Sequence, residues 1–325
     1  MRQDWAKGAA ELRAAWQGQR GVIAAAVLFS IACNLLVLTG PLYMLQIYDR
    51  VLGSRSEATL VALTVLVVFL YVMMGVLDHV RARLFARVGA TMQDRLEPRV
   101  FAAALRRMML QPDDLLARSA QRDLDAMGRL WATPVIVALV DLPWTPIFIA
   151  ILFLFHPLVG VTALFGGAVI VAIALGNHLG TRRSLQAAAD AAMGADRIAD
   201  TLNTEAETIR SLGMAGNAFA RWQKARGEAV DQALLSGDRG GGFAAMSRSF
   251  RLFLQSAILG VGAWLVLQGQ MSGGAMIAGS ILMGRALQPV EQLVSQWPIL
   301  DRARNGKGRL ADLLTRVPAE PARTA

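Results

Sequence analysis

Four ionisable side chains within or beside apolar runs are the residues best suited to chemistry in this sequence. Asp141 is the single charge between residues 132 and 155, and Arg285 interrupts an otherwise apolar segment. Arg248 and Arg251 precede another apolar run. Ionisable groups are costly inside a membrane, so they face a bundle interior or a water-filled path. The four side chains are therefore candidates to line a polar path, while pairing with a neighbouring helix remains the alternative for Asp141.

Nucleotide hydrolysis needs a phosphate-binding loop, Gly-x-x-x-x-Gly-Lys-Ser/Thr, whose backbone amides and lysine hold the phosphates. The chain contains three lysines to test against this pattern. Lys7 and Lys224 do not follow a glycine, and Lys307 has Asp301 at the first glycine position and Gly308 after it. None of the three fits. We therefore predict no catalytic or cofactor-binding residue in this chain, and we do not expect the chain alone to be an enzyme.

The residues that commonly bind metals are few and scattered. Cys33 is the only cysteine, which excludes a disulfide framework and a multi-cysteine metal site. The three histidines, His79, His156 and His178, are far apart in sequence and fall near the ends of apolar runs. We therefore predict no metal site.

The composition indicates a membrane protein. Of the 325 residues, 54% are hydrophobic and only 18% are charged, and the mean hydropathy is +0.42. Average globular domains contain roughly a quarter charged residues. The formal net charge of +9 could suggest nucleic-acid binding, but the basic residues alternate with apolar blocks and form no single patch. We therefore expect membrane lipid, and no nucleic acid, as a partner.

The uncharged runs predict six transmembrane helices, since one crossing needs about 20 mostly apolar residues. The run at 252–284 is too long for one crossing, and residues 268–274 (QGQMSGG) supply a turn that divides it. His156 and Pro157 separate two other runs. The predicted fold class is an all-α membrane protein whose spans lie within residues 21–47, 58–77, 132–155, 157–181 and the two halves of 252–284.

The distribution of Lys and Arg predicts the orientation, because cytoplasmic loops carry the excess of positive charge. Twenty-eight basic residues fall on one side of the six predicted spans, and only Arg50 and Arg55 fall on the other. Both termini are therefore expected in the cytoplasm of a bacterial cell, with the chain in the inner membrane. The external loops are predicted to be very short.

Two long cytoplasmic extensions, at about 80–133 and 177–242, are predicted to be helical. Apolar residues recur at helical spacing among charged ones, and about 25 helical residues in each direction would reach roughly 37 Å beyond the bilayer. Helix breakers at residues 111–114 (QPDD) and 213–216 (GMAG) mark the turning points. A short helix at each tip would present a docking surface, whereas a solvated helix-loop-helix without a partner is the simpler alternative.

Three separated motifs resemble the membrane domain of bacterial type I secretion ABC transporters. They are residues 40–52 (GPLYMLQIYDRVL), residues 141–148 (DLPWTPIF) followed by His156-Pro157, and residues 284–292 (GRALQPVEQ) followed by Trp297. The sequence is most similar to the permease/ATPases that export RTX-type proteases and lipases. The resemblance extends from about Gly21 to Arg309, and the motifs occur in the expected order.

This resemblance implies an ABC exporter transmembrane-domain fold and a homodimer that exchanges helices four and five between its subunits. It also implies a nucleotide-binding domain carrying ATP and Mg, a periplasmic adaptor protein, an outer-membrane channel and a secreted polypeptide substrate. The cytoplasmic tips would be coupling helices that dock on the ATPase. The residues expected to couple are Pro112, Asp113, Asp114, Gly213, Met214, Gly216 and Phe219. Asp141, Arg248, Arg251 and Arg285 are the candidates for the translocation path.

The chain is predicted to divide into three segments. Residues 1–20 form a cytoplasmic interfacial segment, because Trp5, Leu12 and Trp16 share one face of a short basic helix. Residues 21–300 form the six-helix transmembrane domain, and residues 301–325 form a linker toward a nucleotide-binding domain. Whether that domain continues the same polypeptide or belongs to a separate chain stays open.

Two other function classes remain possible from the sequence. A six-helix secondary transporter would not need long paired cytoplasmic extensions, and broken helices at matching positions in two halves are not evident. Its activity would not depend on nucleotide. A non-transporting membrane scaffold is the second alternative, and the test for it is whether Arg285 borders a continuous cavity.

Overall fold

The computed structural model describes residues 2–15, 17–111 and 114–318, and no strand occurs among them. A short 3-10 helix at Gln17–Gln19 precedes α2, and a π-helical segment at Ile47–Val51 follows α3. The α-helices are α1 (Arg2–Ala14), α2 (Arg20–Val37), α3 (Thr39–Gln46), α4 (Leu52–Ser54), α5 (Glu57–Leu110), α6 (Leu115–Leu130), α7 (Pro134–Asp141), α8 (Trp144–Phe155), α9 (Pro157–Thr204), α10 (Ala206–Ser211), α11 (Ala215–Leu267), α12 (Gly273–Ser295) and α13 (Trp297–Arg316).

Four helical segments among the described residues are long and apolar enough to cross a membrane: Arg20–Ser54, Glu57–Leu110, Pro157–Thr204 and Ala215–Leu267. The pair α7 and α8, bent by 48°, counts as a fifth if the two helices form one span. For the part of the chain that the structure describes, a helical fold with several apolar spans is thus confirmed. The sixth predicted span coincides with α12 and stays a prediction.

The breaks between helices fall where local chemistry requires them. α8 ends at Phe155 and α9 begins at Pro157, whose fixed φ suits the first position of a helix. Between α11 and α12, Gly269 has φ +71°, a conformation that glycine adopts without a steric penalty. The Ser272 side chain then accepts a hydrogen bond from the Ala275 amide and caps α12. The predicted turn within residues 268–274 therefore matches the structure.

The chain divides into two units, Met1–Phe165 with Phe253–Ala325, and Gly166–Leu252. The first unit contains a core built from α1, α5, α6 and α13. Leu12 of α1 is fully buried in this core, together with Met92, Leu124 and Leu310. Leu12 therefore packs against protein, which differs from the lipid-facing position expected of an interfacial helix. Trp16 lies outside the described residues.

Ion pairs and close backbone approach fix the four-helix core. Arg99 donates to both carboxylate oxygens of Glu11 and, at 2.6 Å, to the Val317 carbonyl oxygen. Arg309 forms a two-pronged ion pair with the buried Asp123. These bonds hold α13 against α1, α5 and α6, so residues 301–316 of the predicted linker form a packed helix.

The second unit, Gly166–Leu252, contains the extensions of α9 and α11 and the tip between them. α9 runs to Thr204, the six-residue α10 follows, and α11 begins at Ala215. Between α10 and α11, Gly213 has φ +67°, a conformation that glycine adopts without a steric penalty. The long helical extension and its turn near Gly213 match the sequence prediction.

Candidate functional site: a charged cavity bordered by α2, α5, α7 and α12

An ion pair between Arg81 of α5 and Asp141 of α7 lies at the centre of the candidate site. Arg81 Nη1 is 3.1 Å from both Oδ1 and Oδ2 of Asp141. The two side chains are only 10% and 14% exposed. Removing Arg81 would leave the buried Asp141 carboxylate without its cationic partner, whereas Arg81 without Asp141 would keep its ion pair with Asp78.

Three further side chains complete this polar network. Asn34 of α2 donates its Nδ2–H to Asp141 Oδ1 at 2.6 Å. Arg81 donates from Nε to Asp78 Oδ1 at 2.7 Å and from Nη1 to Ser30 Oγ at 3.1 Å. The network therefore links α2, α5 and α7, which are far apart in sequence. Asn34 makes the interhelical hydrogen bond expected of an amide on an apolar helix.

The bend after Asp141 follows from the local sequence. Asp141 is the last residue of α7, and Pro143 immediately precedes α8, so the helix cannot continue with its hydrogen bonds intact. Beyond the bend, Thr145 Oγ1 donates to the Ala286 carbonyl oxygen of α12 at 2.8 Å. The bent pair is thereby tied to α12.

A cavity of about 390 Å³ adjoins the ion pair. Arg285, Gln288 and Gln292 of α12 line it, and their i, i+3, i+7 spacing places them on one helical face. Arg285 Nη1 donates to Gln288 Oε1 at 3.2 Å. Four further polar side chains and three aromatic ones also border the cavity: Asn34, Asp78, Arg81 and Asp141, and Phe85, Trp131 and Phe148.

The cavity can bind polar and charged groups reversibly. Two guanidinium and two carboxylate groups border it, and three carboxamides offer both donors and acceptors. Within residues 2–15, 17–111 and 114–318, no three His, Cys, Asp or Glu side chains lie close enough together to hold a metal ion. The groups that border the cavity can form hydrogen bonds and ion pairs with a polar or charged ligand.

The first of the two predicted tips lies between α5 and α6. Pro112 and Asp113 lie outside the described residues. Asp114 is the N-cap of α6, where its Oδ1 accepts from the Leu116 amide at 2.8 Å, and its Oδ2 accepts from Arg107 at 2.6 Å. Burial acts to raise the pKa of the Asp114 carboxyl, but the Arg107 guanidinium and the helix amides together hold it below its ordinary value. The short helix predicted at this tip therefore stays a prediction.

The second tip presents apolar side chains to solvent. Leu212, Met214 and Phe219 are 66%, 49% and 58% exposed. The Phe219 ring lies 5.9 Å from the ring of Trp222, one turn further along α11. Gly216 is in the first turn of α11, and a Cβ there would meet nothing within 4 Å. The tip thus offers an exposed apolar surface next to the short helix α10.

The structure brings together only some of the residues singled out in the sequence. Asp141 and Arg285 border the same cavity. Arg248 and Arg251 lie on α11 within the second unit, Arg248 exposed and Arg251 partly buried. Sequence reasoning missed Arg81, which it assigned to the cytoplasmic extension. Asp78 and Arg81, two opposite charges one helical turn apart after the long apolar run at residues 58–77, were the signal in the sequence. Nothing in the sequence identified Asp141 of α7 as the partner of Arg81.

Comparison with known proteins relates the chain to transporters. Residues 23–290 match the family model described as the ABC transporter transmembrane region. Over 292 residues the chain is 37% identical to the type I secretion system ATP-binding protein PrsD of Rhizobium meliloti, covering 89% of this chain and 50% of PrsD.

More distant relatives carry similar names. The toxin RTX-I translocation ATP-binding protein of Actinobacillus pleuropneumoniae is 25% identical over 316 residues, covering 91% of this chain and 42% of that protein. The alpha-hemolysin translocation ATP-binding protein HlyB of Escherichia coli is 23% identical over 309 residues, with the same coverages. The chain therefore spans half or less of the length of these curated relatives.

Proposed function

From the premise that this chain belongs to the ABC transporter transmembrane region family, we propose that it is the membrane part of a type I secretion exporter that moves an unfolded polypeptide out of the cytoplasm. The observation that carries the proposal is the charged cavity bordered by Arg285 in a chain of long apolar helices. A scaffold without transport has no need for such a cavity, and a secondary transporter has no need for helices of about fifty residues that extend beyond the bilayer.

The proposed topology has six spans in the bacterial inner membrane with both termini in the cytoplasm. The spans are α2 with α3, α5, α7 with α8, α9, α11 and α12. The 28 basic residues on the side of the termini support this orientation. In this arrangement the charged cavity lies in the cytoplasmic half of the bundle, since Arg81 is 24 residues, or about 36 Å of helix, from the external start of α5.

A homodimer is part of the proposal. Leu234 and Leu235 of α11 are 60% and 49% exposed. They lie more than 30 residues before Leu267, the external end of this helix. That stretch of helix is about 48 Å long. The two leucines are therefore beyond a hydrocarbon layer of roughly 30 Å. Lipid does not cover apolar residues at that position. A second copy that exchanges α9 and α11 would bury them.

Coupling to ATP hydrolysis is proposed to occur at the two tips. Met214 and Phe219 of the second tip and Leu110 beside the first are exposed and apolar, which suits docking on another folded domain. That domain would bind ATP and Mg and would close on ATP binding. Because the closed domain would bind one state of the helix bundle more tightly than the other, its closure would shift the bundle toward that state. The coupling residues proposed are Pro112, Asp113, Asp114, Gly213, Met214, Gly216 and Phe219.

The polypeptide path is proposed to follow the cavity face of α12. An arginine facing lipid at the centre of a helix costs at least about 2.5 kcal/mol on insertion scales, and Arg285 avoids this cost by bordering the cavity. Asp141, Arg248 and Arg251 are the other residues proposed to line the path. A periplasmic adaptor and an outer-membrane channel would complete the route across the envelope.

Charge substitution at Arg285 tests the proposal. In the complete transporter, Arg285→Glu should lower export of an acidic polypeptide more than Arg285→Gln does, because only the former repels the substrate. Basal ATPase activity and dimer assembly should be largely retained in both variants. Export that does not require ATP would favour a secondary transporter, and equal losses for the two variants would refute the electrostatic role of Arg285.

A further inference from the structure

The π-helical segment Ile47–Val51 lies near the end of the first candidate span, Arg20–Ser54. It falls within the motif of residues 40–52, whose role the proposed function leaves unexplained. π-helical turns contain one residue more than an α-helix needs and occur frequently at functional sites. Val51 is buried, whereas Tyr48 and Asp49 are exposed. Asp49 lies within this segment and contacts the first turn of α12.

The Asp49 carboxylate bridges two spans that are more than 200 residues apart in sequence. Its Oδ2 accepts from Ser272 Oγ at 2.7 Å, and its Oδ1 accepts from the Gly274 amide at 3.1 Å. Ser272 Oγ in turn accepts from the Ala275 amide at 3.1 Å. The carboxylate therefore satisfies one backbone amide in the first turn of α12 and the hydroxyl of its N-cap serine, and a negative charge there is favoured by the helix dipole.

The two segments approach each other closely at this point. A Cβ on Gly274 would lie 2.7 Å from Asp49 Oδ1 and 2.9 Å from the Leu45 carbonyl oxygen. Glycine is therefore required for the contact. Gly274 itself is buried while Asp49 is exposed, so the contact lies where packed helices meet the surface.

We propose that Asp49 is a latch that closes the external end of the bundle between the first span and α12, and that it opens when a polypeptide leaves. This inference rests on the proposed function, because it assumes that a path runs along α12. The latch consists of hydrogen bonds at an exposed carboxylate, where water competes as a partner. Such bonds break and reform readily, as a gate requires, whereas the buried Arg81–Asp141 pair does not.

A cysteine introduced beneath the latch reports whether it is open. Ala278 is fully buried one turn below Gly274 and on the same face of α12. With Cys33 replaced by Ala, Ala278→Cys in spheroplasts should react slowly with a membrane-impermeant maleimide. Asp49→Ala should raise the labelling rate at least tenfold, and Asp49→Asn, which keeps one acceptor oxygen, should raise it less. Glu57→Ala removes another exposed carboxylate at a helix start on the same side and should leave the rate unchanged.

The response of the labelling rate to nucleotide distinguishes a latch from a permanent structural contact. In the complete transporter with Asp49 intact, a non-hydrolysable ATP analogue with Mg should raise labelling of the Ala278→Cys variant. Equal rates in native Asp49 and Asp49→Ala, or no response to the analogue, would overturn the latch. If Asp49→Ala does not accumulate in the membrane, Ser272→Ala removes one of the two bonds and should raise the rate. If the transporter exports polypeptide but the analogue does not change the labelling rate, the latch is refuted and the proposed function stands. If the labelling rate responds to the analogue but no polypeptide is exported, the proposed function is refuted and the latch stands.

Discussion

Truncation of Arg81 should destabilise the chain more than neutralisation of its partner Asp141. Without Arg81, the 14% exposed Asp141 carboxylate retains only the Asn34 amide as a hydrogen-bond donor among the contacts described. Leaving one charge of a buried pair uncompensated costs about 3–5 kcal/mol. With an unfolding entropy of about 2.1 cal/mol/K per residue, the melting temperature Tm of a chain of this length should fall by about 4–7 °C.

Asp141→Asn should have a smaller effect, because Arg81 keeps its bonds to the exposed Asp78 and to Ser30. In this variant Arg81 loses one charged hydrogen-bond partner, and the amide oxygen of the new asparagine partly replaces it. This loss costs about 1.5 kcal/mol, or about 2 °C in Tm. In the double variant Arg81→Ala with Asp141→Asn, no charge is left buried. Its Tm should therefore lie above that of Arg81→Ala alone.

Thermal unfolding of the purified chain in detergent, followed by far-UV circular dichroism and by tryptophan fluorescence, measures these differences. The two signals should give the same order of stability among the three variants. The reasoning would be refuted if Asp141→Asn lowered Tm as much as Arg81→Ala, or if the two substitutions were additive in the double variant. Either result would mean that the ion pair is not what holds α5 to α7.

Three further predictions concern the core of α1, α5, α6 and α13 and the tip between α5 and α6. Gly89→Ala should lower Tm, because its Cβ would lie 2.5 Å from a backbone oxygen of α6, whereas Gly75→Ala in the same helix meets nothing within 4 Å and should be neutral or stabilising. Arg309→Ala should speed hydrogen exchange in α13 more than Asp123→Asn does, because only the former leaves a buried carboxylate unpaired. Asp114 has a lowered pKa. The Tm difference between the native chain and Asp114→Ala should therefore be constant above about pH 4 and should shrink as the pH falls through the lowered pKa.

The positions of the helices could be predicted because their breaks are local. His156-Pro157 and the glycines of residues 268–274 each end a helix through backbone geometry, and the structure has breaks at both places. The helical extension beyond the apolar run at residues 58–77 was also predictable, and it continues to Leu110 as one helix of 54 residues. Each of these features depends on neighbouring residues in sequence.

The partners of individual side chains could not be predicted, because they depend on which helices meet. Arg81 follows an apolar run and looks cytoplasmic, yet it pairs with Asp141 sixty positions later. The apolar face of α1 that contains Leu12 suits lipid or protein equally well, and its burial against Leu310 depends on α13 returning to the start of the chain. The latch at Asp49 likewise depends on a contact with Gly274 that no local pattern encodes.

The proteins released by a strain that carries this chain provide the most direct test of the proposed export activity. Deletion of the gene should remove one or more polypeptides from the culture medium, and the complete native transporter should restore them. Arg285→Glu should restore acidic polypeptides less than Arg285→Gln does, at equal amounts of transporter in the membrane. An identical set of released polypeptides with and without the gene would contradict the account.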